Sequence, residues 1–592
     1  MRAKTQDENK NSFTERPHEN EKKRALNYVE KLLEEARLDP TSRSEDIAEL
    51  TEIHRLLNNK KYGLVWEEHA EKVEEEMKTK IPVFVEDESK KISDNPDSED
   101  YNFLLEGDNL HSLHLLEKTH TGKIDVIYID PPYNTGTSEG AFKYNDSLVD
   151  KTDSFIHSKW LSFMKNRLSI ARQLLDDSGV IFISIDDNEF SQLKLLMDEI
   201  FGELNFVTNL VWEKKKKGSF LSNSITNVKE YLLVYSKKKS KFEGLIGEKN
   251  QKIETYPCIN ATNKREIRRI SKGIESKYNK KDFIIEAGTV ISASTMNIVY
   301  HTDLIVKGGI VQEDFEVEGN WRYSFDNMVT YSKNKELYIT RDLYIRRIVS
   351  EPRYKNLKDL LLRTGEDEKV VYNTLINPDH LFESGWGSNE DADNELIEIF
   401  GKQKMFSYPK PTRLISKLLL STYKESALVL DFFAGSGTTG QAVAEINSAF
   451  GGNRKFILAT NNENNIAEEV TYERMKRVST GTDKYKAHPM NLKYFKTAMI
   501  NKEDENLEKT LLSNVKTLIE LQHGVDLSNS KIAVVVNRKE AEELSVTGLS
   551  TVYMRGLTHQ MLDEELAIKF SDVKIIDIPE TYFPLELKEA GF

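Results

Sequence analysis

Residues 427 to 440 read Ala-Leu-Val-Leu-Asp-Phe-Phe-Ala-Gly-Ser-Gly-Thr-Thr-Gly, an apolar run that ends in an acid and passes at once into a glycine-rich turn. Ala442, Val443, Ala444 and Ile446 follow on what reads as a helix. A strand, a tight turn and a helix start form the repeating unit of a doubly wound α/β sheet. Such a turn lets backbone approach a ligand closely, and the free amides of the helix point at its polar end. Gly435, Gly437 and Gly440 satisfy the spacing G-x-G-x-x-G. Glu463 follows the next apolar run, Phe456-Ile457-Leu458-Ala459, about where a ribose-binding acid should sit.

A second strand-like run, Ile124-Asp125-Val126-Ile127-Tyr128-Ile129, opens into Asp130-Pro131-Pro132-Tyr133-Asn134-Thr135-Gly136. The prolines fix φ and remove two backbone donors, which leaves carbonyls to accept from a ligand. With Asp130 as a further acceptor and Tyr133 as a stacking face, the segment suits a planar base that carries an exocyclic amine.

The glycine loop by itself admits more than one ligand. A phosphate-binding loop needs Lys after the second glycine of G-x-x-x-x-G, and Gln441 stands there, which argues against ATP hydrolysis. NAD fits the glycines and Glu463, but Asp431 and Phe433 are not part of that fingerprint and a dehydrogenase leaves Asp130 to Tyr133 without work. S-adenosylmethionine also has a ribose for Glu463, and its sulfonium suits a pocket of carboxylates and aromatics. The residues favour it.

Both motifs resemble those of amino-group DNA methyltransferases in the β arrangement, where Asp-Pro-Pro-Tyr precedes Phe-x-Gly-x-Gly, here Phe433 to Gly437. More closely, the chain is similar to the Mod subunit of Type III restriction–modification systems. The similarity extends to Lys61-Tyr62-Gly63-Leu64-Val65-Trp66-Glu67, Leu105-Glu106-Gly107-Asp108-Asn109-Leu110 and Ile183-Ser184-Ile185-Asp186-Asp187-Asn188-Glu189. It also covers Tyr408-Pro409-Lys410-Pro411-Thr412-Arg413-Leu414-Ile415 and Leu492-Lys493-Tyr494-Phe495-Lys496-Thr497. The resemblance implies methyl transfer from S-adenosylmethionine to adenine N6 in double-stranded DNA. Asp130, Pro131, Pro132 and Tyr133 would then be catalytic, and Asp431, Phe433, Gly435, Gly437 and Glu463 would hold the cofactor. Lys410 and Pro411 would lie over its methionine end, and Asp108 would meet its adenine or simply cap a helix. The resemblance further implies a homodimer and a partner Res subunit with helicase and nuclease activity. Cytosine N4 methylation, a non-DNA amide as acceptor, a binding-only subunit and a stand-alone methyltransferase are the alternatives; Asp rather than Ser at position 130 points toward adenine.

Composition narrows the remaining classes. At 592 residues the chain has room for several units of ~150 residues. No apolar run approaches the ~18 residues of a membrane span, so a cytoplasmic protein with no membrane partner is expected. The single cysteine, Cys258, excludes a disulfide framework and a multi-cysteine zinc site, and no metal is expected. Pro257-Cys258 lies in a polar stretch with no strand leading into it, so covalent attack of the cytosine C5 type is not expected. Net charge is −14, but cations cluster at Lys214-Lys215-Lys216-Lys217, Lys237-Lys238-Lys239 with Lys241, Lys264-Arg265 with Arg268-Arg269, and Arg346-Arg347, as a phosphate-tracking surface requires.

The expected fold is α/β, a doubly wound Rossmann-like methyltransferase sheet interrupted by a target-recognition insertion. The order is a helical N-terminal arm and linker (1–100), the catalytic half (101–240), the insertion (241–400), the cofactor-binding half (401–490) and a small C-terminal α/β unit (491–592).

Overall fold

The computed structural model describes residues 21–37, 68–95, 98–135, 155–215, 225–250, 254–293, 296–349, 353–363, 385–529, 531–555 and 563–589, with isolated positions between 43 and 66. Gly136, Lys216 to Gly218 and most of Lys61 to Glu67 lie outside the described residues.

The centre of the molecule is an 11-stranded sheet. Its parallel core runs in the order Asn491–Asn501, Asn102–Glu106, Asn453–Thr460, Ser426–Asp431, Ile124–Ile129 and Leu175–Ile185. Antiparallel strands Lys229–Ser236 and Phe206–Glu213 extend one side, and Lys80–Glu86 closes the other. Ile124–Ile129 is apolar almost throughout because helices cover both of its faces. Val126 and Tyr128 face one core, with Leu414, Leu418 and Val443. Ile127 and Ile129 face the other, with Leu113, Trp160 and Leu168. Asp125 is the polar exception, and it is satisfied: it accepts from Lys424 Nζ at 2.6 Å and from the Leu428 amide at 2.9 Å.

The helices fall on the two faces as the chain winds outward in two directions. Asn109–His120, Ile156–Leu174 and Leu507–His523 cover one side. Thr412–Ser421, Thr438–Phe450 and Asn389–Phe400 cover the other. From Ile129 the chain moves to the neighbouring strand Leu175–Ile185, and from Asp431 it moves the opposite way to Asn453–Thr460. The seam between Ile124–Ile129 and Ser426–Asp431, paired as Val126 with Val429 and Ile127 with Leu430, is therefore the topological switch point. Both motifs leave the sheet at the carboxyl ends of these two strands.

Residues 254–349 form a β-rich body with its own core around Ile270, Ile298, Val317, Trp321 and Met328. It is built on a 4-stranded and a 7-stranded sheet. Cys258 is buried in that core, and burial pushes its thiol up to about 12, far from a reactive thiolate. Ile532–Val535, Thr551–Arg555 and Lys574–Ile578 form a separate 3-stranded parallel sheet.

Three elements depart from the expected boundaries. Asn491–Asn501, assigned above to the C-terminal unit, pairs in parallel with Asn102–Glu106 inside the large sheet. Asn389–Phe400, assigned to the insertion, buries Leu396, Ile399 and Phe400 in the methyltransferase core. Lys80–Glu86, assigned to a helical arm, is an outermost strand, the position in a sheet that tolerates Pro82. Among the described residues, no helix is long and apolar enough to cross a membrane.

The third glycine of the loop serves this packing. A Cβ on Gly440 would stand 2.5 Å from Met475 Sδ and 3.1 Å from Leu458 Cδ1. Gly440→Ala is expected to destabilise the protein by ~1–3 kcal/mol despite alanine's better helix propensity, as overpacking does; urea unfolding of the variant checks this.

Candidate active site

The two strand ends open on one cavity of about 810 Å³, lined from one side by Asp130, Pro131 and Tyr133 and from the other by Asp431, Phe433, Gly435 and Glu463. That size is ordinary for a small-molecule site. Gly435 and Gly437 adopt φ of +49° and +80°, which glycine takes without strain. Gly435 also lies against Phe406, whose Cζ would be 3.1 Å from an added Cβ. Arg474, fully buried, clamps the loop from behind: Nη1 donates to Ser436 Oγ and Thr438 Oγ1, each at 2.9 Å, and Nε donates to Gln441 Oε1 at 2.7 Å. Gln441, which stands where a phosphate-binding loop has Lys, is thus a structural partner of Arg474.

Asp431 is the buried end of its strand. It accepts from the Phe433 amide at 3.1 Å and from Thr439 Oγ1 at 2.5 Å. Burial pushes its carboxyl up to about 7, Thr439 and the Phe433 amide opposing the rise and Asp130 adding to it.

Asp130 does not stand alone. Lys410 Nζ donates to both of its oxygens at 2.8 Å and to the Tyr133 hydroxyl at 2.9 Å. The Tyr133 hydroxyl in turn donates to Asp130 Oδ1 at 2.8 Å and lies 3.2 Å from Glu230 Oε2. Glu230 is a buried acid that no motif in the sequence announces. It lies 3.3 Å from Lys410 and 2.8 Å from Lys214. Burial opposes ionisation of Glu230, and Lys410 and Lys214 outweigh it, so its carboxyl stays below the usual range. Burial likewise disfavours the charged Lys410, and Asp130 and Glu230 reverse the effect, which holds it protonated.

The predicted residues therefore fare differently. Asp130, Pro131, Tyr133, Asp431, Phe433, Gly435, Glu463 and Lys410 share the cavity wall. Lys410 is also ion-paired with Asp130 there, a contact that the sequence does not announce. Pro132 is outside the lining, and its carbonyl accepts from Trp160 Nε1 at 2.8 Å. Gly437 also lies outside the lining, where it starts the helix Thr438–Phe450 against Thr471 and Met475. Pro411 precedes Thr412–Ser421 and packs beside Gly387. Asp108 is a helix cap: it accepts from the Leu110 amide at 2.8 Å, pairs with Arg167 at 3.3 Å and is not part of the cavity.

The basic clusters are also more engaged than expected. Lys238 and Lys241 pair with Asp177, Arg265 with Glu318, Arg269 with Asp314 and Arg347 with Glu336. Lys237 donates to the Leu175 carbonyl and Arg346 to that of Thr255. Lys214 and Lys215 line the cavity itself.

The raised carboxyl of Asp431 has a measurable consequence. A group more easily protonated in the folded state gives stability that is complete below its unfolded value, near 4, and is lost as pH rises to about 7. Melting temperatures of the native protein and Asp431→Asn should therefore diverge in favour of the variant between pH 5 and pH 7, with the gap constant above pH 8.

The sequence has recognisable relatives among known proteins. The family model for DNA methylases of the N6/N4 type matches residues 124–470, which span both motifs and the insertion between them. The Type III restriction-modification enzyme StyLTI Mod subunit of Salmonella typhimurium is 31% identical over 75% of this chain and 64% of its own length. The EcoPI Mod subunit of Escherichia phage P1 is 31% identical over 61% of this chain and 58% of its own. The chain thus spans under two thirds of the length of these Mod subunits. The Type II methyltransferase M.KpnI of Klebsiella pneumoniae is 33% identical over 62% of this chain and 82% of its own length. The solved PvuII DNA methyltransferase, cytosine-N4-specific, is 10% identical with a TM-score of 0.31, covering 65% of this chain and 94% of its own; the fold described above rests on strand order and not on that likeness. With the family match covering more than half of its residues, the chain belongs to the N6/N4 family of DNA methylases.

Proposed function

We propose that this protein transfers a methyl group from S-adenosylmethionine to the N6 amine of adenine in double-stranded DNA, at a specific sequence, as the modification subunit of a Type III restriction–modification system. The observation that carries the reading is the convergence of Asp130 and Tyr133 with Asp431, Phe433 and Gly435 on one cavity at the switch point of the sheet. The cavity fits the cofactor. Gly435 admits close backbone approach, Glu463 offers acceptors for a ribose, and Phe433, Phe406 and the surrounding carboxylates suit a sulfonium. When bound, S-adenosylmethionine supplies an electrophilic methyl.

The chain's own residues then have to make a poor nucleophile competent. The lone pair of an adenine amine is delocalised into the ring. Asp130 accepting one amino hydrogen, with the Pro131 carbonyl accepting the other, draws that pair back onto nitrogen and orients it. As an ionised carboxylate Asp130 has lone pairs beyond those that Lys410 occupies. The base has to leave the duplex at a cost of roughly a few kcal/mol. Stacking on Tyr133 offsets ~1–3 kcal/mol of it. A DNA substrate implies action in the cytoplasm. The β-rich body 254–349 of the insertion would read the target sequence, and a homodimer with a Res partner would complete the system.

The M.KpnI match, which covers 82% of that Type II enzyme, favours a stand-alone methyltransferase as the second reading. Both readings share the chemistry. Asp130→Ala and Tyr133→Ala are each expected to lower methyl transfer to DNA by at least ~100-fold, while binding of S-adenosylhomocysteine survives. A radiolabel assay and calorimetry check the two halves of this statement.

A further inference from the structure

Glu230 enters the site from the strand Lys229–Ser236, opposite Trp212, and only 5% of it is exposed. One oxygen accepts from Lys214 Nζ at 2.8 Å; the other lies 3.3 Å from Lys410 Nζ and 3.2 Å from the Tyr133 hydroxyl. Asp130 holds the other side of Lys410. Asp186, at the mouth of Leu175–Ile185, and Asp431, Glu463 and Lys215 are the other charged groups that line the cavity. Burial and the Glu230 charge raise the Asp186 carboxyl above the usual range. The contact cluster around Lys410 carries two carboxylates, Asp130 and Glu230, against two ammonium groups, Lys410 and Lys214. Their formal charges cancel.

We propose that Glu230 is a positioning residue that keeps this cluster neutral, and that binding of a cationic methyl donor depends on it far more than binding of the neutral product. The proposal rests on the cofactor reading above and goes beyond it by assigning the charge balance to a residue outside both motifs. Without Glu230, Asp130 is the one carboxylate left within the cluster to compensate Lys410 and Lys214. The cluster then carries one net positive charge, and because Lys410 is buried a second positive charge nearby is repelled more strongly than in water. A sulfonium carries that second charge. A thioether does not. Lys410 would also settle wholly on Asp130, which weakens the acceptor that the base needs.

The test is calorimetric titration of the full-length protein with S-adenosylmethionine and, separately, S-adenosylhomocysteine. In Glu230→Gln the affinity for the sulfonium should fall by about tenfold or more, and that for the thioether by less than about twofold. Glu230→Asp, which keeps the charge, should restore a near-native ratio of the two affinities. Lys214→Met removes one positive charge and should move the ratio in the opposite direction; it carries the test by itself if Glu230→Gln does not fold. Equal losses for both ligands in Glu230→Gln, or a ratio that stays constant when Lys214 is replaced, would overturn the proposal. A native protein that binds neither ligand would refute the cofactor reading, and this inference with it.

Discussion

The pairing of Ile124–Ile129 with Ser426–Asp431 is the constraint on which everything else depends. The two strands are far apart in sequence and lie side by side in parallel, with an entire β-rich body inserted between them. Because both run in the same direction, Asp130 and Asp431 emerge at the same edge of the sheet. Because the chain winds away from the seam in opposite directions, the connections diverge there and leave a crevice. A cavity with a base-handling segment on one wall and a glycine loop on the other follows from that topology alone. Slippage of the seam by one residue would turn Val126 and Tyr128 into the wrong core, so register and site geometry are held by the same packing.

A second level of organisation is electrostatic. Around the cavity, charge is arranged so that some acids stay ionised and others do not. Lys410 and Lys214 hold Glu230 as a carboxylate in a setting where burial would otherwise protonate it. Asp431, with a hydroxyl and an amide for partners and no cation, is pushed up to about 7. Buried ion pairs add little net stability, since desolvation offsets attraction. Their retention here makes more sense as a means of setting the potential that a charged ligand meets. Lys493, 1% exposed between Glu86 and Glu520, shows the structural version of the same device at the far side of the sheet.

What could be read in the sequence was what depends on local pattern. The apolar run of Ile124 to Ile129, broken only by Asp125, the glycine spacing after Asp431 and the order of the two motifs carried the fold and most of the cavity wall. What could not be read depends on partners distant in sequence. Glu230 in Lys229-Glu230-Tyr231 looks like one charge among many; only the approach of Lys410 makes it a buried part of the site. Lys410 itself suggested a contact with cofactor, because nothing local points to Asp130. The partner of the Pro132 carbonyl, Trp160, likewise comes from a later helix. The basic clusters were visible as composition, yet their counter-ions, such as Asp177 for Lys238 and Lys241, come from other elements. Lys80–Glu86 was hidden by the charged helical sequence before it and by Pro82, and its place at the sheet's edge resolves both.

The central claim is that this seam assembles a site for methyl transfer to an amino group of DNA. It is tested most directly by incubating the purified protein with unmodified duplex DNA and S-adenosylmethionine labelled in the methyl group, then digesting the DNA and separating the nucleosides. The account predicts label in N6-methyldeoxyadenosine at one recurring sequence. Label in N4-methyldeoxycytidine would contradict the choice of base, and DNA that takes up no label while the protein binds the cofactor would contradict the assignment of the site itself.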